Sequence, residues 1–251
     1  MIILAILFAA LGVADAVRTW HRGYPWSFVA AAAVILAIGL TSNAGWWMTL
    51  DAAALVGWLV LTRPRASRRA GYWALALLAA VIIAIVLLGG LLPVASGPLP
   101  EWYAQLPYAA LAAVPFTSFA VAIGGVLLLN ETANVIVRIA LTRMTVDAPT
   151  VGASVERTSR GWRRKPVPLP PVAVLRGGRA IGPLERLFLF VLAVTGQFVA
   201  IAAVVAAKGI VRFPEISKDD AGGSKAEYFL IGSLTSWATV LAVVLLLQLA
   251  R

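Results

Sequence analysis

The residues of this chain that could do chemistry are few, and nearly all sit inside long apolar runs. Asp51 lies about seven residues into the apolar segment 44–61, in WWMTLDAAALVGW, with no cation near it in sequence. A lone carboxylate in such surroundings calls for a proton, a partner on another helix or a wet cavity, and ionisable groups inside apolar spans mark functional sites by default. Asp51 therefore reads either as a proton- or ion-handling residue or as a neutral, hydrogen-bonded packing residue. The densest polar group is Asn130-Glu131-x-x-Asn134-x-x-x-Arg138. At helical spacing Glu131, Asn134 and Arg138 share one face, with Asn130 beside them. That stripe would line a vestibule or pack on neighbouring elements. Further along, Glu185-Arg186 opens an apolar run that closes with Lys208. Gln197 and Lys208 are 11 residues apart, about three turns, and would share a face of one continuous helix. Gly196-Gln197 within that run predicts a close helix approach and an interhelical hydrogen bond. Asp15 and Arg18 are spaced to pair on one helix near its end.

Chemistry of other kinds is poorly served. The chain contains no cysteine and one histidine, His21, which excludes disulfides, thiolate metal sites and a cysteine nucleophile. No phosphate-cradling loop, metal-ligand spacing or nucleophile elbow occurs, so no cofactor is expected. An enzyme acting on lipid through carboxylates stays open but is disfavoured.

The elements that must carry these residues are helices in a membrane. Residues 71–94, GYWALALLAAVIIAIVLLGGLLPV, hold no charge in 24 positions. About 20 apolar residues at 1.5 Å per residue cross a hydrocarbon core of roughly 30 Å. Of 251 residues, 61% are hydrophobic and only 13% charged, against about 25% charged in ordinary globular domains. The apolar runs are continuous and not alternating, which indicates helices and not a barrel. The expected fold is all-α and polytopic, with about seven spans: 2–17, 26–40, 44–61, 71–94, 107–129 with Pro115 as a kink, 184–207 and 228–250. The first lacks a basic n-region and carries Asp15, so it is read as a retained span and not a signal peptide. Three regions follow: an N-terminal bundle over 1–141, a basic Pro-rich loop over 142–183, and a two-helix membrane region over 184–251.

The net charge of +10 sits in short loops beside the spans. Arg18 and Arg22, then Arg63, Arg65, Arg68 and Arg69, then the Arg-rich segment after residue 141 alternate with loops that have no cation. The positive-inside rule places the basic loops in the cytoplasm, in an inner, cytoplasmic membrane, with the N-terminus outside and the C-terminus inside. One loop spoils the pattern. Lys208, Arg212, Lys218 and Lys225 fall where seven alternating spans would put the outside, so either this loop is an exception to the rule or one segment is re-entrant, and seven spans is the preferred reading. The long loop holds TSRGWRRKPVPLPPV, whose Arg157–Lys165 cluster reads as an anchor on anionic phospholipid headgroups or as a docking segment for a partner. The expected partners are the lipid bilayer and its anionic headgroups, with a homo-oligomer or a membrane-protein partner left open and nucleic acid not expected.

The C-terminal third reads GRAIGPLERLFLFVLAVTGQFVAIAAVVAAKGIVRFPEI and then AEYFLIGSLTSW. It resembles an uncharacterised family of bacterial integral membrane proteins, classed only as a domain of unknown function. The resemblance rests on Gly182, Leu184, Glu185 and Arg186, on Lys208, Ile210, Arg212 and Phe213, and on Ala226, Glu227, Tyr228, Leu230, Ile231 and Gly232. It covers about 70 residues. It implies that Glu185, Arg186, Lys208, Arg212 and Glu227 act together, and it supplies no activity. Two readings of function stand. One is a transporter or channel-like protein for a small ion, a proton or a lipid-linked substrate. The other is a non-catalytic membrane scaffold that docks cytoplasmic proteins through its basic loop.

Overall fold

The computed structural model describes residues 1–20, 24–64, 66–142, 178–216 and 224–250. The Arg157–Lys165 cluster lies outside these residues. Every regular element among them is helical: α1 Ile2–Trp20, α2 Tyr24–Thr41, α3 Met48–Leu61, α4 Arg68–Leu87, α5 Pro98–Ala104, α6 Ala109–Ala112, α7 Phe116–Leu127, α8 Ala133–Leu141, α9 Gly178–Val194, α10 Phe198–Ile216 and α11 Ser224–Leu249. A five-residue π-helical turn, Leu128–Thr132, joins α7 to α8 into one rod. Four rods are long and apolar enough to cross a membrane: Ile2–Trp20, Arg68–Leu87, Phe116–Leu141 and Ala226–Leu249. Pro25–Thr41 and Gly45–Leu61 are apolar but shorter.

α1 is the axis of the bundle. Every residue from Ile2 to Leu11 is at most 4% exposed. A helix apolar all round is either a lipid-facing span or a central one; here α2, α3, α4 and α7 enclose it. The contact with α7 is backbone-close. A Cβ added at Gly12 would fall 2.4 Å from the Leu127 carbonyl carbon, and one at Gly124 would fall 2.7 Å from the Ala5 carbonyl oxygen. Small residues are what allow helix backbones to approach this closely where no hydrophobic drive separates protein from lipid.

Contact levels fix the directions. Ala5 and Phe8 meet Gly124, and Gly12 meets Leu127, so α1 and α7 run parallel. Trp58 bonds Asp15 and Thr62 accepts from Arg18, so α3 also runs parallel to α1. Leu141 lies against Gly232, Val243 against Gly125, and the Ala250 carbonyl accepts from Ser118 Oγ at 2.8 Å, so α11 runs antiparallel to the α7–α8 rod. Arg18, Arg63, Arg68, Arg69 and Arg138 thus gather at one end of the bundle. Ser42, Ser96 and Pro115 gather at the other, where Ser96 N–H donates to Ser42 O. Both Met1 and Ala250 lie toward this Ser42 end. That corrects the expectation that the termini lie on opposite sides.

The reason is a break in the sixth expected span. Residues 184–207 do not form one helix. α9 stops at Val194, and Gly196 adopts φ +74°. Gln197 N–H bonds Leu192 O at 2.8 Å and Gly196 N–H bonds Ala193 O at 3.2 Å. These are the two bonds of a Schellman cap, with glycine supplying the left-handed residue. α10 then returns alongside α9, and Lys208 reaches back to Glu185. The unit is a helical hairpin that enters from the basic end and goes back to it. Lys208 and the end of α10, at the start of the segment that broke the alternation of charge, therefore lie toward the basic end with the first turn of α11.

The fifth expected span also changes. Pro115 does not kink a helix begun near residue 107. It is the N-cap of α7, with Phe119 N–H on its carbonyl. Proline lacks the N–H that a helix interior needs and suits a helix start. Residues 98–115 instead form a lid of two short helices over the Ser42 end, tied by Tyr103 Oη donating to Leu111 O and Val114 O.

Candidate functional site

The π turn is where the polar chemistry gathers. In α-helical spacing each carbonyl accepts from the residue four ahead. The π turn widens this to five, so Leu128 O accepts from Ala133 N–H and carbonyls within the turn become available to other donors. Arg186 takes them. This side chain, 2% exposed, donates from Nε to Leu129 O at 2.7 Å and from Nη2 to Asn130 O at 2.9 Å. Nη2 also donates to Asn134 Oδ1 at 2.6 Å, and Nη1 reaches Ser236 Oγ at 3.5 Å. Asn134 in turn donates to Glu131 Oε2 at 3.2 Å. The planar guanidinium fork suits several fixed acceptors in a way a lysine point charge does not. Gly182, one turn before Arg186, packs beside the guanidinium and Asn134.

On the other side of Glu131 lies Asp15, completely buried. It accepts from Trp58 Nε1 at 3.1 Å and its Oδ1 is 2.7 Å from Arg18 Nη2, close enough for an ion pair though not aligned as a hydrogen bond. Arg18 Nη1 also donates to Thr62 Oγ1 at 3.0 Å. The Asp15 carboxyl faces Thr132 and lies within electrostatic reach of Glu131, which also acts on Arg186. Thr132 Oγ1 is buried and completes no hydrogen bond by strict geometry. Asp15, Thr132, Glu131, Asn134 and Arg186 therefore form one polar layer through α1, the π turn, α8 and α9. Glu131 is 15 residues from Phe116, about 22 Å along the rod from the Ser42 end. The expected Asp15–Arg18 pair forms, and Asp15 is in addition fully buried and held across helices by Trp58.

A second cluster closes the α9–α10 hairpin. Lys208 Nζ donates to both Glu185 oxygens at 2.7 Å, and Trp237 Nε1 donates to Glu185 Oε1 at 2.9 Å. Lys208 Nζ lies 5.4 Å from the Trp237 ring centroid and 5.9 Å from that of Phe229, within cation–π range. α10, which otherwise packs chiefly on α9, is tied to α11 through this lysine.

Asp51 stands apart from both clusters. It is 0% exposed, and among the described residues neither carboxylate oxygen has a hydrogen-bond partner. It occupies the buried face of α3 that also carries Leu55 and Trp58. Two turns separate it from Trp58, about 10 Å toward the Ser42 end.

The remaining candidates point outward. Arg138 is exposed, one turn beyond Asn134 in α8 toward the basic end. Gln197 is exposed at the hairpin tip, and its backbone N–H, not its side chain, does the structural job. The one continuous helix expected over 184–207 is interrupted here: α10 starts at Phe198, with Gln197 O accepting from Ile201 N–H at 3.1 Å. Open space around Gly196 shows that this glycine serves a turn and not a close approach. Arg212 lies on the exposed outer part of α10 and Glu227 is exposed in the first turn of α11. Sequence reasoning missed Trp58, Thr62, Thr132 and Trp237. The signal was available for two of them: an indole N–H inside an apolar run needs an acceptor, and Trp58 follows Asp51 by two turns.

Among the described residues no group of three or more acidic, histidine or cysteine side chains could hold a metal ion. No protein-family model, curated protein or solved structure matches the chain.

Proposed function

We propose that this chain is a transporter or channel-like membrane protein for a proton or small cation, carried along the seam of α1, α3 and the π-turn helix. The observation behind this reading is Asp51, a fully buried carboxylate with no hydrogen-bond partner for either oxygen. A carboxylate in an apolar interior holds a proton or a cation or finds a counter-charge, and among the described residues Asp51 has no hydrogen-bonding or ion-pairing neighbour. Asp15 and Glu131 continue the sequence of buried carboxyls about 10 Å further toward the basic end. Irregular backbone at membrane depth, here a π turn and a helical hairpin, is tolerated where it serves a polar site. In this reading α1, α2, α3, α4, the α7–α8 rod and α11 make six crossings and α9–α10 is re-entrant. The basic end faces the cytoplasm and both chain termini face away from it. The positions that carry the resemblance to the uncharacterised bacterial family include Glu185, Arg186 and Lys208, the residues that fasten the hairpin.

The test is a proton-flux assay on the full chain in liposomes holding a pH-sensitive dye, driven by a potassium diffusion potential. Wild type should dissipate the pH gradient faster than empty vesicles. Asp51→Asn keeps shape and removes titration, so it should abolish the flux while unfolding at the wild-type temperature. Equal flux in wild type and Asp51→Asn, or none in wild type with protons, sodium or potassium, overturns the reading. The second outcome would leave the scaffold reading, in which the Arg157–Lys165 cluster matters and Asp51 does not.

A further inference from the structure

A lateral groove opens between α4 and α11. Its volume is about 290 Å³, close to the lower end for ligand sites. Leu75, Leu78 and Ile82 form one wall, Ala238 and Ala242 the other, and Phe8 and Leu128 lie at the floor. On α11 the lining runs from Thr235 to Leu246, 11 residues or about 16 Å along the helix axis. The Thr239 hydroxyl is already committed to Thr235 O at 2.8 Å. The groove thus offers a long apolar slot along the bundle and no free polar anchor inside it.

Its mouth at the basic end has a different character. Arg68 precedes Leu75 by two turns on the same face of α4 and is exposed. Tyr72 lies between them, 40% exposed, and Tyr228 precedes Thr235 by two turns on α11, 48% exposed. Arg68 and Arg69 form the first turn of α4, capped by Ser67, so the positive end of that helix dipole coincides with two guanidinium groups. Glu227 is the acidic group nearby, exposed in the first turn of α11. Two cations, a helix N-terminus and flanking tyrosines stand at headgroup level, about 10 Å from the top of an apolar slot.

We propose that this groove binds one anionic phospholipid, with an acyl chain in the slot and the phosphate over Arg68 at the start of α4. Slot and mouth are ordered as the lipid is ordered: apolar along the span, cationic and aromatic at the interface. A zwitterionic lipid would fill the slot equally well but would gain less from Arg68. The proposal is independent of the transport reading, since none of the buried carboxyls lines the groove.

The test is native mass spectrometry of the full chain in detergent, titrated with phosphatidylglycerol and phosphatidylcholine of identical acyl chains. One phosphatidylglycerol should bind ahead of phosphatidylcholine. Arg68→Gln should reduce the phosphatidylglycerol affinity about fivefold, the equivalent of about 1 kcal/mol for one basic residue near the surface, and leave phosphatidylcholine unchanged. Ala238→Leu with Ala242→Leu should remove tight binding of both lipids, and because both positions are exposed and the new side chains are apolar, the unfolding temperature should hold. Equal binding of the two lipids by wild type overturns the headgroup assignment. Undiminished binding by the groove-filled variant overturns the slot.

Discussion

Arg186 offers the sharpest test of how the polar layer is held. Its three short bonds run to Leu129 O, Asn130 O and Asn134 Oδ1 at 2.7, 2.9 and 2.6 Å, and the side chain is 2% exposed. In water-soluble proteins a hydrogen bond to a charged group contributes about 1.5–3 kcal/mol. Within membranes the measured average is nearer 0.6, with a maximum of about 1.7, because the unfolded state in lipid also finds partners. Arg186→Lys keeps the charge but presents a point donor in place of a fork. Losing two of three bonds at the membrane rates should cost about 1–3 kcal/mol. Arg186→Met removes all three donors and should cost about 2–5 kcal/mol by the same rates. Removing a buried charge recovers desolvation energy and works against this loss. Here that gain is limited, because the buried Leu129 carbonyl and the part-buried Asn130 carbonyl lose their donor, and Glu185 and Glu131 lose a nearby positive charge. The assay is equilibrium unfolding in mixed micelles, read with amide hydrogen exchange over residues 128–133. The expected order is wild type, Arg186→Lys, Arg186→Met, with exchange in the π turn rising in step. An Arg186→Met protein within 0.5 kcal/mol of wild type, with unchanged exchange in that turn, would refute the claim that Arg186 holds the turn.

Three other outcomes follow from the packing. Gly196→Ala should destabilise by about 1–2 kcal/mol, because φ +74° is strained for any residue with a Cβ, whereas Gly209→Ala, which meets nothing within 4 Å in the middle of α10, should be neutral or mildly stabilising in the same unfolding measurement. Gly12→Ala places a Cβ 2.4 Å from the Leu127 backbone against an enclosed α1, so it should lower stability by about 3 kcal/mol or more, the upper end for overpacking, and Gly124→Ala should follow it. Single cysteines at the exposed Ser96 and Glu101 should label from the side opposite to cysteines at the exposed Ser67 and Glu227 with an impermeant thiol reagent; labelling of Glu227→Cys together with Ser96→Cys would break the hairpin topology.

The sequence by itself determined the medium, the helices and most of the polar inventory. Continuous uncharged runs such as 71–94 leave only helices as spans, because backbone groups in hydrocarbon must be satisfied within the segment. The Glu131–Asn134 bond and the Asp15–Arg18 pair were legible too, since residues three apart on a helix meet regardless of what surrounds them. What periodicity cannot show is a local departure from regular phase. The π turn at Leu128–Thr132 has no residue signature, and it alone frees the carbonyls that Arg186 binds. Gly196 was visible as a glycine, but whether it served a close approach or a left-handed cap depended on its φ. That one angle turned the sixth expected span into a hairpin and brought Lys208 back to Glu185. The burial of α1 was likewise beyond the sequence, since an all-apolar helix looks the same facing lipid or neighbours. Only the glycines at 12 and 124 hinted at it, and their role appears when α7 lies against them. Side-chain types and local spacing are properties of the chain. Which helix faces Asp15, Arg186 or Lys208 is decided by how the helices are paired, and that pairing belongs to the tertiary fold.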